Sequence, residues 1–244
     1  MGIFAENEHL RLAIGSDGRI RHFIDKRSGA DYVGEPDRAP FASIRAGGRT
    51  VAVTEAAAEA DGQYALRFAD SGVTARIRLE TKRRSFIVEV VEVVGPGAAE
   101  PEQFVFFDVR LLLEGKSEEP FAATLLALNL RTNVRGIPGL NRDLHAACYA
   151  KFGFAGAKVA LIGCPTDELV AVMQEETQAA EELPVSPLGG PWALQADINR
   201  GSYLFDLANI SEDNVDEWIG LARDLGMNQI DFHGGQSFRF GDCR

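Results

Sequence analysis

With 244 residues, 45% hydrophobic content and 15 Phe, the chain is long enough for one large domain or two ordinary ones and apolar enough for a packed core, which excludes disorder. A formal net charge of -11 argues against a nucleic acid or an anionic membrane as partner, since their phosphates would be repelled, and leaves a neutral ligand open. No run reaches the roughly eighteen apolar residues of a membrane-spanning helix, and MGIFAENEHL lacks a basic stretch followed by an apolar one, so the sequence as written reads as cytoplasmic, without a signal peptide.

From Glu6 to Ile24 the pattern predicts a β hairpin: Leu10, Leu12 and Ile14 alternate inward, Ser16-Asp17-Gly18 turns the chain, and Ile20 and Phe23-Ile24 return. Further strands are expected at Phe41 to Arg45, Thr50 to Thr54, Tyr64 to Phe68, Val73 to Glu80, Ser85 to Val94, Phe104 to Leu113 and Ala122 to Leu130. Nearly every gap holds Gly, Pro, Asp or Ser. Strands at spacings near ten residues with almost no helical period make a mainly β, antiparallel sandwich.

Ala146 to Cys164 reads as two more strands around Phe154-Ala-Gly-Ala157, the second being Val159 to Ile162. A hairpin turning at Gly156 would set Cys148 beside Cys164; the alternative is two small buried residues. Three scattered cysteines form neither a disulfide framework nor a zinc knuckle, and the isolated His9, His22 and His145 do not make a metal site, so no metal or cofactor is implied. A helix near 166–180 follows, capped by Thr166, with Leu169, Val172 and Met173 inward; its charged continuation Glu175 to Glu182, like Lys82-Arg83-Arg84, reads as solvated surface.

Residues 1–182 thus form the sandwich and 183–201, rich in Pro and Gly, a linker holding Trp192, which either pins the linker to a domain surface or offers a platform on which a sugar ring could stack. The tail, 202–244, reads as strand, helix, strand. Ser202 to Leu207 is short and apolar; Ser211 can cap a helix whose Val215, Trp218, Ile219, Ala222 and Leu225 share one face; Gly226 ends it; Met227 to His233 follows. That order is the parallel crossover unit. One such unit of about forty residues leaves its strand edges open and is not a domain by itself.

Glu6-Asn-Glu-His-Leu-Arg-Leu-Ala-Ile14 followed by Gly18-Arg-Ile-Arg-His-Phe-Ile-Asp-Lys-Arg-Ser-Gly29 resembles the start of the galactose-mutarotase-like super-sandwich, a module that precedes catalytic barrels in glycoside hydrolases and also occurs in polysaccharide lyases. The tail is similar to the first barrel unit of α-galactosidase and α-glucosidase-like hydrolases, whose second strand ends in paired acids that bind sugar hydroxyls; Ile230-Asp231-Phe232-His233 keeps one acid and places His at the other position. Together the resemblances imply an antiparallel β super-sandwich followed by a truncated first βαβ unit of a (β/α) barrel, in the N-terminal portion of a carbohydrate-active enzyme. A glycoside hydrolase is the first reading. A non-catalytic carbohydrate-binding or accessory protein, a polysaccharide lyase and a mutarotase-like sugar isomerase are the alternatives.

Carbohydrate is the partner implied. Asp206, Asp231 and His233 would sit at the carboxyl edge of the tail strands, where α/β enzymes place ligands, with Asp242 in the following loop and Trp192 in the linker; the alternatives are a polar pair of Asp231 and His233 that satisfy each other, Asp206 capping loop amides, and Asp242 solvated. The catalytic carboxylates of such barrels come from later strands, which the sequence does not contain, so no catalytic residue is assigned and the chain alone should be inactive as a glycosidase. A mutarotase-like site would need a paired His and carboxylate on a sheet face. His22 and His145 are its candidates, with no carboxylate partner identifiable from sequence.

Overall fold

The computed structural model describes residues 2–36, 39–69, 71–95, 101–201, 203–206 and 211–232. The chain divides into two compact units, Met1–Leu183 and Pro184–Arg244. The first is mainly β. Strands β1 (Ile3–Glu6), β2 (Leu10–Ile14) and β3 (Ile20–Asp25) make a three-stranded antiparallel sheet. The expected hairpin is β2–β3, with Leu10, Leu12, Ile14, Ile20 and Phe23 buried. Its turn needs Gly18: φ is 74° there, and a Cβ would stand 2.4 Å from Val53 Cγ1.

Eleven further strands follow: β4 (Ala42–Ala46), β5 (Arg49–Ala52), β6 (Glu55–Ala58), β7 (Gln63–Phe68), β8 (Val73–Thr81), β9 (Ser85–Val94), β10 (Pro101–Arg110), β11 (Phe121–Ala127), β12 (Asn133–Val134), β13 (Asp143–Tyr149) and β14 (Lys158–Pro165). They form a five-stranded sheet in the order β12-β13-β10-β4-β5 and a six-stranded sheet in the order β11-β14-β9-β8-β7-β6, with every pairing antiparallel. One face of each contributes to the main core: Ile44, Phe104, Phe106 and Leu144 from the five-stranded sheet, Leu66, Ile77, Phe86 and Leu161 from the six-stranded one.

Helix α1 (Leu169–Ala179) covers the opposite face of the six-stranded sheet. Leu169, Val172 and Met173 pack there on Ile87, Ala122, Leu126, Ala160, Ile162 and Cys164. Strand β14 is therefore buried on both faces, which is why Val159-Ala-Leu-Ile162 reads as a continuous apolar run.

Of the two readings of Cys148 and Cys164, that of two small buried residues holds: they lie on β13 and β14, in different sheets, so no hairpin at Gly156 brings them together. Both are free and fully buried, and burial pushes each thiol up to about 12. All three thiols of the chain are expected to titrate in denaturant without reductant, while Cys148 and Cys164 resist labelling in the native protein; fast native labelling would contradict their burial. Thr166 does not cap α1 but donates its hydroxyl to the Glu119 carbonyl at 2.5 Å, in a 3-10 turn (Thr166–Glu168) ahead of the helix. The charged runs are not uniformly solvated: Arg84 pairs with Glu168 and Glu175, and Glu176 is only 7% exposed.

In the second unit, β15 (Tyr203–Asp206) and β16 (Gln229–Phe232) pair in parallel, with α2 (Val215–Asp224) between them in sequence. Helix α2 buries Ala222 and half-buries Val215, Trp218 and Ile219. Asn214 rather than Ser211 precedes its first turn, and Gly226, at φ 72°, ends it. Among the described residues no helix is long and apolar enough to cross a membrane.

Candidate functional site

The five-stranded sheet has one face in the main core, so strand alternation gives the other a separate set of side chains. Asn133, Ala147, Val105, Ser43 and Ala52 are register partners in turn across β12, β13, β10, β4 and β5. On one side runs a row of longer residues, Tyr149, Gln103, Arg45 and Thr50. On the other, His145 of β13 stands opposite Asp108 of β10. The register thus sets short side chains between two taller rows, with about 13 Å from His145 to Tyr149 at ~3.3 Å per residue. Ala147, Val105 and Ser43, between the rows, are buried.

A bulge positions the dyad. The β10 register shifts between Phe106 and Asp108, and the extra residue, Phe107, has φ 62°. Its ring turns into the core against Phe41, centroids 4.8 Å apart, while its amide donates to the Phe41 carbonyl at 2.6 Å. Without the extra residue, strict alternation would send position 108 into the core; with it, Asp108 faces outward. There His145 Nδ1 lies 3.2 Å from Asp108 Oδ1, with the imidazole largely enclosed and the carboxylate half exposed. An oriented ring nitrogen leaves Nε2 as the atom that can exchange a proton with a ligand. Beside Asp108 opens a cleft of about 460 Å³, lined by Val33, Glu35, Ala39, Arg110 and Leu112 among others. This lies within the range of small-molecule sites.

His22 also has a carboxylate partner, Asp31, at 2.6 Å from its Nδ1. That carboxylate is occupied structurally: its Oδ1 accepts the amides of Phe23 and Val33. Burial pushes Asp31 up, but these amides and the His22 ring outweigh it and hold the carboxyl below its usual range. His22 is well exposed on β3, whereas the His145 imidazole is largely enclosed. The His145 pair is the better placed for chemistry.

No family model and no curated protein matches the sequence. Among solved structures, a galactose mutarotase related enzyme from Lactobacillus acidophilus is similar at 14% identity and a TM-score of 0.28, over 69% of this chain. The similarity spans 66% of that protein's length.

Of the residues singled out in the sequence, Trp192 stands in a 3-10 turn (Pro191–Ala193) with φ 55° and is 46% exposed. Asp206 ends β15 and Asp231 lies on β16, where the register sets Asp231 opposite Phe205 and Asp206 opposite Phe232. The two acids are therefore not register partners. Their side chains, and His233 and Asp242 altogether, lie outside the described residues. Asp108 was missed. It sits inside Phe104-Val-Phe-Phe-Asp-Val-Arg110, and two adjacent Phe were the one sign that alternation breaks there.

Proposed function

We propose that this chain is the N-terminal portion of a carbohydrate-active enzyme whose sandwich carries a sugar site on the outer face of the five-stranded sheet. The observation that carries the reading is the His145–Asp108 pair, facing Tyr149, Gln103 and Arg45 across a row of small residues. Tyr149 offers an aromatic face for the apolar side of a sugar ring, and Gln103, Arg45 and Ser43 offer groups for its hydroxyls. The chemistry that fits is mutarotase-like isomerisation. Protonated His145 gives its proton to the ring oxygen, the anomeric hydroxyl loses a proton to water, and the ring opens to the carbonyl form. Closure on the other face reverses both transfers. Asp108 holds the tautomer and stabilises the imidazolium.

A second reading rests on the parallel β15–β16 pair with α2 as its crossover: the tail begins an α-galactosidase or α-glucosidase-like barrel. Asp206, Asp231, His233 and Asp242 are then rim residues for sugar hydroxyls, with Trp192 as a stacking platform. The nucleophile and acid/base would come from strands beyond Arg244.

Anomer interconversion of freshly dissolved aldoses, followed by polarimetry with the full chain, tests the first reading. Hydrolysis of aryl glycosides by a chain continued through its reading frame tests the second. Inactivity in both assays, together with absence of sugar binding, would sink the proposal. Tyr149→Ala is expected to weaken sugar affinity roughly tenfold by titration calorimetry while leaving the unfolding transition in place; unchanged affinity would remove Tyr149 from the site.

A further inference from the structure

Away from the five-stranded sheet, α1 carries a buried carboxyl that the proposed chemistry does not use. Leu169, Val172, Met173 and Glu176 fall on one helical stripe, so the face that packs on the six-stranded sheet ends in an acid. Ser85, itself buried at the start of β9, donates its hydroxyl to Glu176 Oε1 at 2.6 Å. Next to this contact is a cleft of about 290 Å³. Its charged lining comes from every element around Glu176: Arg78 and Glu80 of β8, Lys82 of the following turn, Glu89 of β9, Lys158 of β14, and Glu181 and Glu182 after α1. Arg78 pairs with Glu89, and Lys82 with Glu80. On α1 itself, the neighbouring Glu175 is taken by Arg84, which also holds Glu168.

We propose that Glu176 is a protonation-controlled latch: protonated, it closes on Ser85 and seats the second half of α1; ionised, it turns into the adjacent cleft, toward Lys82 and Lys158, and that half of the helix loosens. Helix α1 is the last element before the connector at Pro184, so the latch sets how much slack chain precedes it. Burial is the largest influence on this carboxyl and raises it; the Ser85 hydrogen bond and Lys82 oppose that, while Glu175 and Glu80 add to it. A carboxyl raised in the folded state gives stability that is present below its unfolded value and is lost as pH rises through the raised one. Seating is therefore strongest in mild acid, the reverse of an ordinary salt-bridged acid.

Hydrogen exchange of α1 amides, corrected for intrinsic rates and referred to those of β9 and β14, reads the latch directly. Between about pH 5 and about pH 8, protection of the second half of α1 is expected to fall roughly tenfold in the wild type. Glu176→Gln, which cannot ionise but can still accept from Ser85, should keep the acid-pH protection throughout. Glu175→Gln, which removes the Arg84 pair instead, should still lose protection as pH rises, the transition lying somewhat lower because one charge that raises Glu176 is gone. Constant protection in the wild type, or an equal loss in Glu176→Gln, would overturn the proposal.

Discussion

Replacing Phe104 by Ala is expected to destabilise the first unit by about 3–5 kcal/mol, the cost of deleting a buried aromatic ring. The ring is fully buried on β10, with centroids 6.2 Å from Phe68 on the six-stranded sheet and 5.7 Å from Phe106 on its own strand. It therefore joins the two sheets at mid-core. Against a total stability of about 5–15 kcal/mol, this loss is a large fraction. Val105, the next residue, is buried on the other face, and Val105→Ala should cost about 1.5–2.5 kcal/mol, two methyl groups at ~0.8 kcal/mol each plus a small cavity. Urea unfolding followed by far-ultraviolet circular dichroism gives both values. Similar losses at the two positions would mean that the β10 faces are assigned wrongly.

The second large effect is on chemistry. If His145 is the proton-transfer group, His145→Asn should reduce anomer interconversion by roughly a hundredfold or more, while sugar affinity changes little, because Tyr149, Gln103 and Arg45 remain. Asp108→Asn keeps the side-chain volume but offers an amide where the imidazole needs an acceptor. It should lower the rate, and the double variant should be little worse than His145→Asn alone, since the pair acts as a unit. Additive losses would mean two independent roles. A His145→Asn protein as active as the wild type would end the isomerase reading and leave the face as a binding surface.

Much of the architecture was legible because alternation in antiparallel strands is a direct imprint of one buried face. The β2–β3 hairpin, and β9 at Ser85–Val94, follow from the sequence alone. What was not legible has local causes. β6 is Glu-Ala-Ala-Ala, with no β-branched residue to mark it, and β12 has two residues whose partners lie on β13. Cys148 and Cys164 flank a Gly turn as hairpin partners would, yet β13 and β14 leave that turn into different sheets, a tertiary choice that no local pattern records.

The site follows the same division. His145 stood out as a residue type, but its partner lies on a strand 37 positions away and is aimed by a bulge that only long-range register reveals. Glu176 was hidden differently: in a run of acids it looked like solvent-facing surface, although its helical spacing from Leu169 and Met173 placed it on the inner stripe. The rim residues of the tail, Asp206, Asp231, His233 and Asp242, remain a proposal resting on strand order.

Chemical-shift mapping of the full chain during titration with neutral monosaccharides and oligosaccharides tests the central claim most directly. Binding on the outer face of the five-stranded sheet predicts shifts at Ser43, Val105, Asp108, His145 and Tyr149, with the titration midpoint moved to roughly tenfold higher sugar in Tyr149→Ala. Shifts confined to the second unit, or none at saturating sugar, would contradict it.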